Sequence, residues 1–123
     1  MFSLIDRVSV AVFGVGSMQS GSSTLQHGLF DDTHLAAMIA RGAVGSICAR
    51  FYDSGGAMLH SDLDTRTVSI DLSPLASAPA RGAVAFGLEK LTAIFAAIRR
   101  QLINHLETDS DTAFGLLALA DKR

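Results

Sequence analysis

The chain has 123 residues, a length for one domain, and a formal charge of −2 from ten basic and twelve acidic residues. Hydrophobic residues make up 49% and charged residues 18%, which excludes a disordered tail, and the near-neutral balance argues against DNA contact by this piece. A lone cysteine, Cys48, excludes an internal disulfide and points to the cytoplasm; no apolar run reaches the roughly 18 residues of a membrane span, and Asp6 and Arg7 interrupt any signal-peptide core.

In chain order, Val8 to Phe13 is rich in β-branched residues and stops at Gly14-Val15-Gly16, which predicts a buried strand and a tight loop. Ser17 to Ser23 predicts a small polar loop. Asp31 or Asp32 can cap a helix from Thr33, with Leu35, Met38 and Ile39 on one face and Gly42 at its end. Ser46 to Tyr52 alternates and predicts one strand, with Ile47, Ala49 and Phe51 facing one way and Cys48, Arg50 and Tyr52 the other. Asp53-Ser54-Gly55-Gly56 is a turn signal, from which Ala57 to His60 pairs back as a hairpin.

Asp62 to Thr65 predicts a loop, Thr67 to Ile70 a strand and Ser73-Pro74-Leu75 one helical turn. Gly82 to Phe86 predicts a buried strand that stops at Gly87. Leu88 to Arg100 is the clearest helix, with Leu91, Ile94, Phe95 and Ile98 as its apolar face. Leu102 to Leu106 is strand-like, and Thr108 or Asp109 caps a last helix through Leu119. The order predicts an α/β fold with parallel pairing at least in the C-terminal part. Ligands of such sheets sit at the carboxyl ends of strands, where Phe13-Gly14 and Phe86-Gly87 both fall.

Two constellations carry chemistry. Gly14-Val15-Gly16-Ser17 with Ser20 to Ser23 offers backbone N–H groups and hydroxyls for phosphate or sugar oxygens, or is a Gly/Ser loop without a ligand. A third glycine is missing, which argues against a dinucleotide cofactor. Gly87-Leu88-Glu89-Lys90 places a turn, a helix start and a cation together; the sharper reading is an anion site, the plainer one a solvated Lys90 paired with Glu89. His27, His34, His60 and His105 lack metal-ligand spacing, Cys48 fits a small core residue, and no G-x-S-x-G elbow is present. No metal or cofactor is implied.

Gly42-Ala43-Val44-Gly45 followed by Arg50 to Gly56 resembles the central motif of SorC-family sugar-binding transcriptional regulators. Counterparts follow in the same order: Arg66 to Leu72, then Val84 to Lys90 with Ala93-Ile94, then Thr108-Asp109 with Thr112-Ala113. Asp6 and Gly14 to Ser17 fit as well, so the resemblance covers nearly the whole chain.

The resemblance implies a Rossmann-like, mostly parallel sheet with flanking helices, as in sugar-phosphate isomerases and glucosamine-phosphate deaminases. It implies a non-catalytic effector domain, residues 1–123 being one partial domain, incomplete on its N-terminal side and without the DNA-binding domain. Its ligand would be a sugar or sugar phosphate, its partner a second copy of the chain, and DNA would be reached only through the missing domain. By position Gly14, Gly16, Ser17, Ser46, Gly87 and Lys90 line the cleft, and Lys90 matches a lysine that faces phosphorylated ligands. Ser46 stands where the family has Asp or Glu, Phe86 replaces the first of two glycines, Ser69 a glycine and Ser110 a glutamate. The alternatives are a sugar-phosphate isomerase or deaminase drawing its acid/base pair from Asp53, Glu89 and His60, and a fragment that only oligomerises.

Overall fold

The computed structural model describes residues 7–18, 32–48, 50–60 and 78–122. The polar loop expected from residue 19 onward, the cap at Asp31, the loop at 62–65, the strand at 67–70 and the turn at 73–75 lie outside the described residues.

Strand β1 (Val10–Phe13) is followed by β2 (Gly16–Ser17), helix α1 (Asp32–Ala40), β3 (Ala43–Ile47), β4 (Arg50–Asp53) and β5 (Met58–Leu59). Then come β6 (Ala80–Val84), a 3₁₀ turn (Leu88–Lys90), α2 (Leu91–Arg99), β7 (His105–Glu107) and α3 (Ser110–Asp121). The strands form two sheets: a parallel one in the order β1-β6-β7, and an antiparallel one in the order β2-β3-β4-β5. The α/β class and its parallel C-terminal part follow the sequence pattern.

Parallel register pairs Phe13 with Ala83, and Val84 with Glu107. The carboxyl ends of β1, β6 and β7 therefore share one edge, with Gly14 and Gly87 both just beyond it. Alternation along β1 buries Ala11 and exposes Val10 and Val12, as the period of two requires.

The region expected as one strand from Ser46 to Tyr52 is two. β3 and β4 pair antiparallel, Ser46 opposite Phe51 and Ile47 opposite Arg50, and Cys48 stands in the connecting turn with φ +53°. Neither Gly nor Asn marks that turn, so the local pattern concealed it. Phe51 and Tyr52 are both buried, in different clusters: Tyr52 in the main core, Phe51 with Met38 and Ala43. Ser17, expected in a loop, pairs with Gly45 in the antiparallel sheet.

The helix expected from Leu88 opens with a 3₁₀ turn before α2. The buried residues of α2 are Ala93, Ile94, Ala96 and Ala97. Three of these are small, which lets the helix axis come close to the hairpin. A Cβ added at Gly45 would stand 2.6 Å from the Ala93 Cβ and 2.8 Å from the Tyr52 hydroxyl. That hydroxyl donates to the Ala93 carbonyl at 2.7 Å, pinning α2 to β4. Burial raises the Tyr52 phenol far above its ordinary pKa, so it stays a donor. The last strand begins at His105, later than expected, because Leu102 and Ile103 belong to the turn that leaves α2.

Candidate functional site

The turn at Gly42 shows how backbone chemistry delivers the site. Its φ of +99° suits glycine, and its N–H closes on the Ile39 carbonyl at 2.9 Å. The chain then enters β3, which carries Val44, Gly45 and Ser46 past β2. Gly16 pairs with Ser46 and Ser17 with Gly45, so four small residues lie side by side. Ser17 and Ser46 are both buried.

A cavity of about 260 Å³ opens beside this pair, lined by Ser17, Met18, Ile39, Val44, Glu89 and Thr92. Its residues come from β2, α1, β3, the 3₁₀ turn and α2. Two hydroxyls and one carboxylate face three apolar side chains, and no cation is among the described lining residues. Ile39, expected on the buried face of α1, is 46% exposed and serves as wall instead.

Gly87 follows β6 with φ +121°, a conformation that side-chain-bearing residues rarely adopt. Its N–H donates to Thr112 Oγ1 at 2.9 Å. Thr112 is fully buried, and its own N–H donates to Asp109 Oδ1 at 2.8 Å, the N-cap bond of α3. The Thr112 side chain and that backbone bond together hold the Asp109 carboxyl below its ordinary pKa. Hydrogen bonds thus run from the β6 turn through Thr112 to an ionised Asp109. Nearby, the buried Thr108 Oγ1 just after β7 has no hydrogen-bond partner among the described residues.

The Glu89 carboxylate folds back on the same turn. A Cβ added at Gly87 would stand 2.5 Å from Glu89 Oε1 and 2.8 Å from Oε2. Lys90 ends the 3₁₀ turn, half-buried, with its N–H donated to the Gly87 carbonyl at 3.0 Å. Gly14 is exposed at the end of β1, with no described residue within 4 Å of an added Cβ.

Of the six residues expected in the cleft, Gly16, Ser17 and Ser46 are brought together on paired strands. Gly14 and Gly87 share the carboxyl edge of the parallel sheet, and Lys90 is next to the cavity residue Glu89. Met18, Ile39, Val44 and Thr92 were missed, because only the fold assembles them. Among the described residues no cluster of His, Cys, Asp and Glu has the geometry to hold a metal ion, and no helix is long and apolar enough to cross a membrane.

Small paired strands beside a cavity, next to the carboxyl edge of a parallel sheet, define an α/β ligand-binding domain. The chain belongs to the sugar-binding domain family of SorC-type transcriptional regulators: the family model described as "Putative sugar-binding domain" matches residues 1–118. It is 32% identical to the sorbitol operon regulator of Klebsiella pneumoniae over 112 residues, 91% of this chain and 36% of the regulator. It is 36% identical to the transcriptional regulator LsrR of an Enterobacter species over 114 residues, 89% of this chain and 35% of that protein. The full-length sorbitol operon regulator structure from Klebsiella pneumoniae superposes with a TM-score of 0.83 at 31% identity, over 94% of this chain and 37% of that one. A transcriptional regulator from Streptococcus pneumoniae gives 0.82 at 31% identity, over 92% and 43%. The chain therefore spans little more than a third of the curated relatives it matches.

Proposed function

We propose that the chain is the ligand-sensing part of a cytoplasmic transcriptional regulator, and that it binds a small sugar or sugar derivative without turning it over. The observation that carries this is the cavity beside the Gly16–Ser46 and Ser17–Gly45 pairs, in a family whose described function is sugar binding. Ser17 lines it, Gly16 and Ser46 lie on the paired strands beside it, and Glu89, between Gly87 and Lys90 in the chain, forms part of its wall. As part of an effector domain, residues 1–123 would act on DNA only through another domain.

Catalysis has little support in the geometry. Two backbone N–H groups of the Asp53 turn, from Gly55 and Ala57, are donated to Asp53 Oδ1, so that carboxylate is a turn lock. Of the three candidate acid/base residues, only Glu89 lines the cavity. Thermal shift of the full chain against sugars and sugar phosphates tests the sensing function. A ligand present at about a hundred times its Kd stabilises by about 2.7 kcal/mol. A folded chain that no panel member stabilises contradicts it, and turnover of an aldose or ketose phosphate contradicts the non-catalytic part.

A second copy of the chain is the proposed partner. Val10, Val12 and Val84 point from one face of the parallel sheet and are 63%, 70% and 56% exposed. Apolar strand faces of this kind are normally covered. Light scattering at high micromolar concentration should show a dimer or larger species, and a strict monomer would contradict assembly.

A further inference from the structure

We propose that the outer face of α3 is a docking surface for α3 of a second copy of the chain. The two helices pack antiparallel, with Asp111 of each copy paired to Lys122 of the other and Phe114 of each seated beside Leu119 of the other. This contact is separate from the sheet face of Val10, Val12 and Val84 and does not rest on ligand binding.

α3 buries Thr112 and Leu116 against the rest of the domain. A helix with one face so buried normally carries charged and polar side chains on the other. α3 does not: from Thr112 to Ala120 it has no charged residue. Phe114 and Leu117 instead stand out from it, 70% and 61% exposed, with the exposed Ala118 beside them. Residues three and four apart share a helix face, so these three form one apolar stripe.

The charges at its ends choose the occupant. Asp111 lies in the first turn and Lys122 is the C-cap. They stand about three turns apart at roughly 3.6 residues per turn, which puts both on the same flank of the stripe. Two helices packed antiparallel bring the same flank of each together, so Asp111 meets Lys122 at both ends of the pair. Among the described residues no ion pair engages either side chain. A parallel pair would set Asp111 against Asp111 and Lys122 against Lys122. The antiparallel pair also aligns the helix dipoles favourably, and brings Asp121 to the N-terminal turn of the other helix, where an anion is favoured.

The same register sets Phe114 against Leu119. Leu119 and Lys122, with Ser54, Thr92 and Phe95, line a groove of about 430 Å³ between α3, α2 and the Asp53 turn. The exposed ring of one copy thus has an apolar wall to enter on the other, and the surface is its own complement, as a two-fold contact requires. One helix pair makes a small interface, below roughly 1,200 Å², so the assembly should depend on concentration.

Sedimentation velocity of the full chain from about 1 to 100 μM tests this, with circular dichroism to show that each variant is folded. Asp111→Lys and Lys122→Glu should each weaken association about tenfold, because both symmetric pairs turn from attraction to repulsion. The double variant should recover to within about threefold of wild type, which a lost fold would not do. Phe114→Ala should weaken association without any change in charge. Single reversals without effect, or a double variant as weak as the singles, overturn the proposal, as does an unchanged Phe114→Ala. Val12→Lys reads the sheet face separately: dissociation by Val12→Lys with none by the α3 variants overturns the α3 contact and leaves the sheet-face assembly standing. A wild-type chain that stays monomeric throughout overturns both.

Discussion

Replacing Gly45 by alanine tests the contact that holds α2 against the hairpin. The added methyl would lie 2.6 Å from the Ala93 Cβ, 2.8 Å from the Tyr52 hydroxyl and 2.9 Å from the Gly16 carbonyl oxygen. Ordinary carbon–carbon contact needs about 3.5–4.0 Å, so roughly 1 Å of separation must open between helix and sheet. None of the three neighbours is the loose end of a flexible side chain: one is backbone, one is the Cβ of a fully buried helix residue, and one is a hydroxyl fixed by a 2.7 Å bond. Overpacking of this kind costs about 1–3 kcal/mol. At about 4 °C per kcal/mol for a domain of this size, Tm should fall by about 4–12 °C. Gly14→Ala is the matched control, since no described residue lies within 4 Å of its added methyl, and its effect should stay within about 0.5 kcal/mol. Urea unfolding followed by circular dichroism, with equal m-values, gives both numbers. Equal stabilities for the two variants would refute the close-packed account of α2.

Other perturbations follow from the same bonds. Tyr52→Phe removes the buried bond to the Ala93 carbonyl and should cost about 0.5–1.5 kcal/mol in urea unfolding. Thr112→Val keeps the shape but strands the Gly87 N–H, at about 1–3 kcal/mol, whereas Thr112→Ser keeps that bond and loses one methyl, about 0.8 kcal/mol; a valine variant as stable as wild type would show that bond to be idle. Asp109 has a folded-state pKa below its ordinary value of 3.8, so its contribution is complete above that value and is lost as pH falls through the depressed one. Asp109→Asn should flatten the stability–pH curve in that acid range, read by thermal melts from pH 5 downward.

Periodicity and turn chemistry made much of the fold legible. The existence of β1 and β6, of α1 with its glycine stop, of the Asp53 turn and of the cap at Asp109 was written in local patterns, but β6 runs Ala80–Val84 rather than Gly82–Phe86, and both strands expose valines on one face instead of being buried. The turn at Cys48 was not, because a cysteine at φ +53° carries no turn signature and is held there by the β3–β4 pairing itself. Gly14, Gly16 and Gly87 are legible in the sequence as glycines at strand ends. The sequence marks Lys90 as a cation near a helix start and pairs it with Glu89. The 3₁₀ turn lays the Glu89 carboxylate against Gly87 and along the cavity wall, a placement no local pattern encodes. Met18 follows β2, and Ile39, Val44 and Thr92 come from three separate elements, so no local pattern could gather them.

The most direct test of ligand sensing is an amide ¹H–¹⁵N NMR titration of the full chain with a free sugar that binds by calorimetry. The predicted result is a set of shift changes centred on Ser17, Met18, Val44, Glu89 and Thr92, reduced in Ser17→Ala. Shifts confined to the sheet face of Val10, Val12 and Val84, or no shifts at saturating sugar, would contradict a ligand site in this cavity.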